Sequence, residues 1–151
     1  MKSSISVLSE SELKKIGETI STIENSTSGE INVSICKKVG FFDRKKSIKE
    51  LAVREFYRLK LDQTRQGTGL LIYILLQRNE FYILSDKGLN DKLSSEFWEN
   101  EVKKMTHFFK DEKFSDGIID VLNDIGKILS EHFPSDRSDN PNEISNDVEI
   151  R

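Results

Sequence analysis

The chain has 151 residues, 36% of them hydrophobic and 32% charged, with a formal charge of −3, which suits one globular domain long enough to bury a full core. Five acids and two bases follow Phe133, leaving 21 of each in residues 1–133, so the body is electroneutral and no net basic field directs it to nucleic acid. A lone cysteine, Cys36, excludes an intramolecular disulfide, and no run approaches the ~20 apolar residues of a membrane-spanning helix.

Taken in order, Met1 to Leu8 holds too few apolar residues for a signal peptide, so a soluble, cytoplasmic protein is expected. Ser9 and Glu12 form a capping box, and Leu13, Ile16, Ile20 and Ile23 follow at helical spacing to about Asn25. From Glu30 to Cys36, Ile31, Val33 and Ile35 alternate with Asn32 and Ser34, the pattern of a half-exposed strand. Asp43 is the expected cap of a helix from Arg44 to about Leu61, with Ile48, Leu51, Ala52, Phe56 and Leu59 inward.

Leu70 to Leu76 is an unbroken apolar run, which reads as a strand covered on both faces. Fully burying each such side chain contributes roughly 1.5–3 kcal/mol, more than any other segment of this length offers. Arg78-Asn79 is a tight link to an antiparallel strand, Glu80 to Asp86, with Asn79 suited to positive φ. Two helices follow. One runs from about Asn90 to Lys110 with Leu93, Phe97, Val102, Met105, Phe108 and Phe109 inward and Trp98 flanking. The other is capped by Ser115, carries Ile118, Leu122, Ile125, Leu129 and Phe133, and stops at Pro134.

The fold implied is a three-layer α/β/α sandwich. Its small mixed sheet combines a parallel βαβ pair with one antiparallel hairpin strand, and helices lie on both faces. Residues 1–134 form the domain, and residues 135–151, polar and acidic, read as a flexible tail.

Several chemistries are excluded by spacing. Gly67-Thr-Gly69 begins like a dinucleotide fingerprint, but Ile72 stands in the third glycine's place and a strand follows. Phe42 stands where a cysteine phosphatase needs an Arg after Cys36. His107 and His132 lack partners at zinc-ligand spacing and read as surface residues late in helices.

Two sheet edges remain. At the first, Glu30 and Thr68 begin the parallel strands and the returning strand delivers Ser85 and Asp86, with Lys87, Gly88 and Asp91 following and Thr27, Gly29 and Thr64 in adjoining loops. Glu30, Asp86 and Asp91 are candidate ligands of a weakly held Ca²⁺ or Mg²⁺, since converging carboxylates repel unless a proton, a base or a cation intervenes. The plainer alternative is that Asp86 caps the following helix while Glu30 pairs with Lys87 or Arg65. At the opposite edge, Lys37, Lys38, Arg44 and Arg78 beside a helix start at Asp43 are candidate anion ligands. There the plainer alternative is a solvated basic loop with Phe41 and Phe42 tucked over the sheet.

Ile23-Glu24, Thr27-Ser-Gly-Glu-Ile31, Gly69-Leu-Leu-Ile72, Arg78, Asp86-Lys-Gly-Leu89, Phe97-Trp98, Met105, Phe108-Phe109, Phe114-Ser-Asp-Gly-Ile118, Ile125-Gly126 and His132-Phe-Pro134 occur in an order that resembles the TPM domain family. The short soluble bacterial branch is most similar, including the tail words Asp136-Arg137 and Pro141-Asn-Glu-Ile144. The resemblance implies a three-layer α/β/α domain. It extends to a plant thylakoid-lumen acid phosphatase, a photosystem repair protein, an acetylcholine-receptor modulator and members that bind divalent cations at a surface acidic site. From it, the expected function is an interaction module for a protein partner with a weak cation site. The alternative is a metal-assisted acid phosphatase acting on phosphomonoesters.

Overall fold

The computed structural model describes residues 8–135 and 148–151. Helix α1 (Glu10–Glu24) opens with the expected capping box: Ser9 Oγ accepts from the Glu12 amide at 3.1 Å, and Glu12 Oε1 accepts from the Ser9 amide at 2.9 Å. Strand β1 (Glu30–Cys36) leads through a 3₁₀ turn, Phe41–Asp43, to α2 (Ile48–Arg58). Strand β2 (Gly69–Leu75) turns through Leu76–Arg78 into β3 (Glu80–Ser85), with Asn79 left-handed at φ 55° as its side chain permits. A short helix α3 (Lys87–Asn90), then α4 (Ser95–Lys110) and α5 (Phe114–His132), complete the chain order.

The sheet has the order β1-β2-β3, with β1 parallel and β3 antiparallel to the central strand. Every residue of β2 is buried. Leu70, Ile72 and Ile74 join a large core with α1, α4 and α5; Leu71, Tyr73 and Leu75 join a smaller one with α2 and Leu61. The three-layer α/β/α architecture with its mixed sheet follows from that strand's need for cover on both faces.

The structure corrects the local expectations at several points. Helix α2 starts at Ile48 under a Ser47 cap rather than at Arg44, because Asp43 is drawn into a bidentate pair with Arg54 at 2.9 and 2.8 Å. The stretch after β3 divides into α3 and α4, the latter capped by Ser94. Ser115 is buried inside the first turn of α5 rather than capping it, and Val102, expected inward, is 41% exposed. Phe41 and Phe42 do not tuck over the sheet; they are 68% and 93% exposed.

Strand β1 is more covered than alternation suggested. Ser34 lies beneath α2 and donates to Glu55 Oε2 at 3.1 Å. Glu55 is buried and also receives Arg58 at 2.6 and 2.9 Å, and Arg151. Burial pushes its carboxyl up, but the two guanidinium groups outweigh burial and hold it down at about 2. Of the tail expected to be flexible, residues 136–147 lie outside the described residues, as do residues 1–7. The final four are placed along β1: Ile150 bridges Ile35 in parallel, Lys37 donates to the Arg151 carbonyl at 2.7 Å, and the Arg151 amide donates to Ile35 at 2.8 Å.

Gly69 is the tightest point of the sheet. A Cβ there would stand 2.0 Å from the Leu61 carbonyl oxygen, whereas one on Gly40 would meet nothing. Gly69→Ala therefore forces backbone apart and is expected to destabilise the fold by about 3 kcal/mol, while Gly40→Ala stays within about 0.5 kcal/mol of the parent, as read by urea denaturation.

Candidate functional site

The acidic edge forms as a row across three strands. Glu30 pairs with Gly69 in the parallel register, and the Asp86 amide donates to the Gly69 carbonyl at 2.9 Å. Side-chain alternation along β1 and β3 sends Glu30 and Asp86 to the face that α2 covers. Their Cα atoms are two strand spacings apart, roughly 10 Å. Gly69 contributes no side chain between them, and the Leu61 carbonyl oxygen occupies that place. The row thus reads carboxylate, carbonyl, carboxylate. Glu30 is buried and Asp86 half-buried.

The neighbouring candidates are engaged in holding this edge together. Asp86 caps α3, its Oδ1 accepting from the Lys87 amide at 2.9 Å. Lys87 and Asp91 pair at 3.0 Å on the exposed side of that turn, so Asp91 is turned away from the row. Gly88 lets its own turn close on the preceding loop, since a Cβ there would lie 1.9 Å from the Gln66 carbonyl oxygen. The Thr64 hydroxyl accepts from the Thr68 amide at 2.8 Å, and Thr68 donates to the Ser28 carbonyl at 3.4 Å. Thr27 is buried, donating to the Phe133 carbonyl at 2.6 Å and accepting from the Gly29 amide at 3.1 Å, so it ties β1 to the end of α5. Glu24, which sequence reading left within a helix, also reaches this end of β1, and its Oε2 accepts from the Ile31 amide at 2.8 Å.

At the opposite edge the basic residues do not converge. Lys37, Lys38 and Arg44 are exposed. Arg78 is half-buried and donates to the carbonyls of Lys46 at 2.6 Å, Arg44 at 2.9 Å and Asp43 at 3.4 Å. Its role is to fix the loop before α2. The helix start that was to add its dipole lies at Ile48 instead of Asp43.

A third feature was not anticipated. Beyond the end of β2, a cleft of about 360 Å³ is lined by Leu76, Phe81, Phe109 and Phe114, with Thr106 and Lys110 at its walls. Of its aromatic residues only Phe109 was assigned a place from the sequence, as core, because periodicity does not show the gap that lines up Phe81, Phe109 and Phe114.

The fold defines a class: small three-layer α/β/α domains built on a three-stranded mixed sheet. The TPM domain family model matches residues 2–128, and the chain belongs to that family. Among solved structures, it is similar to the BA42 protein of the psychrophilic bacterium Bizionia argentinensis, with 31% identity, 95% of each chain covered and a TM-score of 0.80. The N-terminal domain of a protein from P. gingivalis shares the fold at 14% identity, with 86% of this chain and 81% of that chain covered and a TM-score of 0.70. No curated protein matches. No helix among the described residues is long and apolar enough to cross a membrane.

Sequence reading also missed a charge cluster between α4 and α5. Lys104 approaches Asp120 at 2.8 Å, Asp124 still more closely, and the buried Glu101 at 3.9 Å. Burial, a hydrogen bond with Asp124 and the Asp124 charge together raise the Glu101 carboxyl to about 7, against the pull of Lys104. Hydrogen bonds that Lys104 donates to Asp120 and Asp124 raise its own titration, so it stays charged. The folded state thus holds a proton on Glu101 that the unfolded chain releases near pH 4.5. The stability this contributes is complete below that pH and is lost as pH rises through about 7. Glu101→Gln keeps the donor and removes the titration. Thermal melts are expected to show the variant more stable than the parent at pH 8, by on the order of 2 kcal/mol, with the difference closing toward pH 5.

Proposed function

We propose that the chain is a binding module whose ligand-facing surface is the edge at Glu30, Gly69 and Asp86, with a weak divalent-cation site there. The observation that carries this reading is the row of oxygens: two carboxylates on either side of a glycine whose missing side chain admits the Leu61 carbonyl. Hard oxygen donors of this kind suit Ca²⁺ or Mg²⁺. Glu30, Asp86 and the Leu61 carbonyl would hold the ion; Asp91, committed to Lys87, would not. Among the described residues no three acidic, histidine or cysteine side chains are grouped as a metal cage, so such an ion would keep most of its water. Bound, the ion would neutralise the edge and offer open coordination to oxygens of a protein partner. Glu30 and Asp86 are positioned by strand pairing, so the edge is set before any ligand arrives.

The metal-assisted phosphatase remains the alternative that family membership suggests. A phosphoryl transfer site needs a base or acceptor within hydrogen-bond reach of the substrate. Here Asp86 Oδ1 is taken by a backbone amide, and the Thr64 and Thr68 hydroxyls by neighbouring backbone, which favours binding over catalysis.

An amide-shift NMR titration with Ca²⁺ tests the reading. Movement is expected to be confined to residues 29–30, 61–69 and 86–91, with a Kd on the order of 10⁻⁴–10⁻³ M. Asp86→Asn should weaken binding about ten-fold, removing one of two charges. Shifts that are absent at millimolar Ca²⁺, or that centre elsewhere, would end the cation site. Hydrolysis of p-nitrophenyl phosphate above background that Asp86→Asn abolishes would favour the enzyme instead.

A further inference from the structure

The loop between β1 and α2 carries the most exposed apolar surface of the described residues, and it lies in the most basic stretch of the chain. Phe42 at 93% and Phe41 at 68% exposure stand side by side, ring centroids 5.5 Å apart and edge to face. Residues 37–49 contain six bases, Lys37, Lys38, Arg44, Lys45, Lys46 and Lys49, and one acid, Asp43. That acid is neutralised by its bidentate pair with Arg54. All six bases except the half-buried Lys46 are exposed.

Two adjacent phenylalanines in water are unfavourable, and a slack loop would fold them inward. This loop is not slack. Arg78 is bonded to three of its carbonyls, the Val39 amide donates to Gln77 Oε1 at 3.1 Å, and the Gln77 amide donates to the Lys37 carbonyl at 2.9 Å. The bonds hold the 3₁₀ turn so that both rings project from a stretch rich in exposed bases.

We propose that this turn docks the protein on an anionic phospholipid surface, Phe41 and Phe42 entering the headgroup–acyl boundary while the six bases lie against lipid phosphates. A rigid apolar tip within a stretch of exposed bases matches the two components of an anionic bilayer interface, and each component alone binds weakly. Single-stranded nucleic acid is the competing partner for aromatics among bases. The geometry disfavours it. The Arg44 guanidinium lies 4.2 Å from the Phe41 ring centre and covers one face, and the edge-to-face pair offers no parallel platform for successive bases.

The test is co-sedimentation of the full chain with vesicles of phosphatidylcholine alone and of phosphatidylcholine with about 30% phosphatidylglycerol. Binding is expected only to the anionic vesicles, and it should weaken as salt rises. Replacing Phe41 and Phe42 together by Ser should reduce partitioning about ten-fold or more. Lys45→Glu with Lys49→Glu should reduce it at least as much, since each lysine near the surface is worth about five-fold. These side chains are exposed, so thermal melts should match the parent, and Phe42→Trp should show blue-shifted emission only with anionic vesicles. No sedimentation at low salt, equal binding to neutral vesicles, or variants that bind like the parent would overturn the proposal. So would binding of a single-stranded oligonucleotide that displaces the vesicles. The Ca²⁺ titration at the far edge of the sheet is independent of every one of these outcomes.

Discussion

The structure depends on one strand that can touch water on neither face. Leu70 to Leu75 bury alternate side chains into two separate cores, so the chain must supply a helix on one side and three on the other. The backbone of such a strand must pair on both edges, which β1 and β3 do along its length. Strand β1, flanking it, has its own outer edge shortened by the final residues: Ile150 and Arg151 run beside Ile35 to Lys37, and Arg151 reaches over to Glu55. Covering an edge in this way removes a template for unwanted strand pairing.

The same strand sets what lies at each end of the sheet. At its start the backbone comes so close to Leu61 that only glycine fits, and this brings a carbonyl oxygen between Glu30 and Asp86. At its end the hairpin turns through Leu76–Arg78, from which Gln77 and Arg78 reach across and lock the loop carrying Phe41 and Phe42. An acidic, oxygen-lined rim and a basic, aromatic tip therefore sit at opposite ends of one strand. The near-zero charge of residues 1–133 conceals this local difference, since acids and bases elsewhere in the chain make up the balance.

Much of this was legible in the residues. Both outer strands, the reversal after Leu76 and the left-handed Asn79 follow from apolar runs and turn chemistry, which are local signals. That Glu30 and Asp86 lie at the same end of the sheet followed from strand direction alone. What escaped was decided by contacts distant in sequence. Asp43 is a good cap by identity, but Arg54, three turns along, claims it, and Ser47 takes the role. Asp91 lies near Asp86 in sequence but is drawn to Lys87 across a helical turn. Glu101 looks like an ordinary surface acid until α4 and α5 are packed, when burial and the neighbouring Asp124 push its carboxyl up to about 7. Phe41 and Phe42 look like core residues, and only the bonds from Arg78 to the loop backbone show why they are not.

Native-state hydrogen exchange measures the central claim most directly. If β2 organises the fold, the amides of residues 70–75 exchange only through global unfolding, and their protection equals the stability found by denaturation. Faster exchange in β2 than in α5, through an opening that leaves the helices intact, would show that the helices hold together without the strand and would contradict the account.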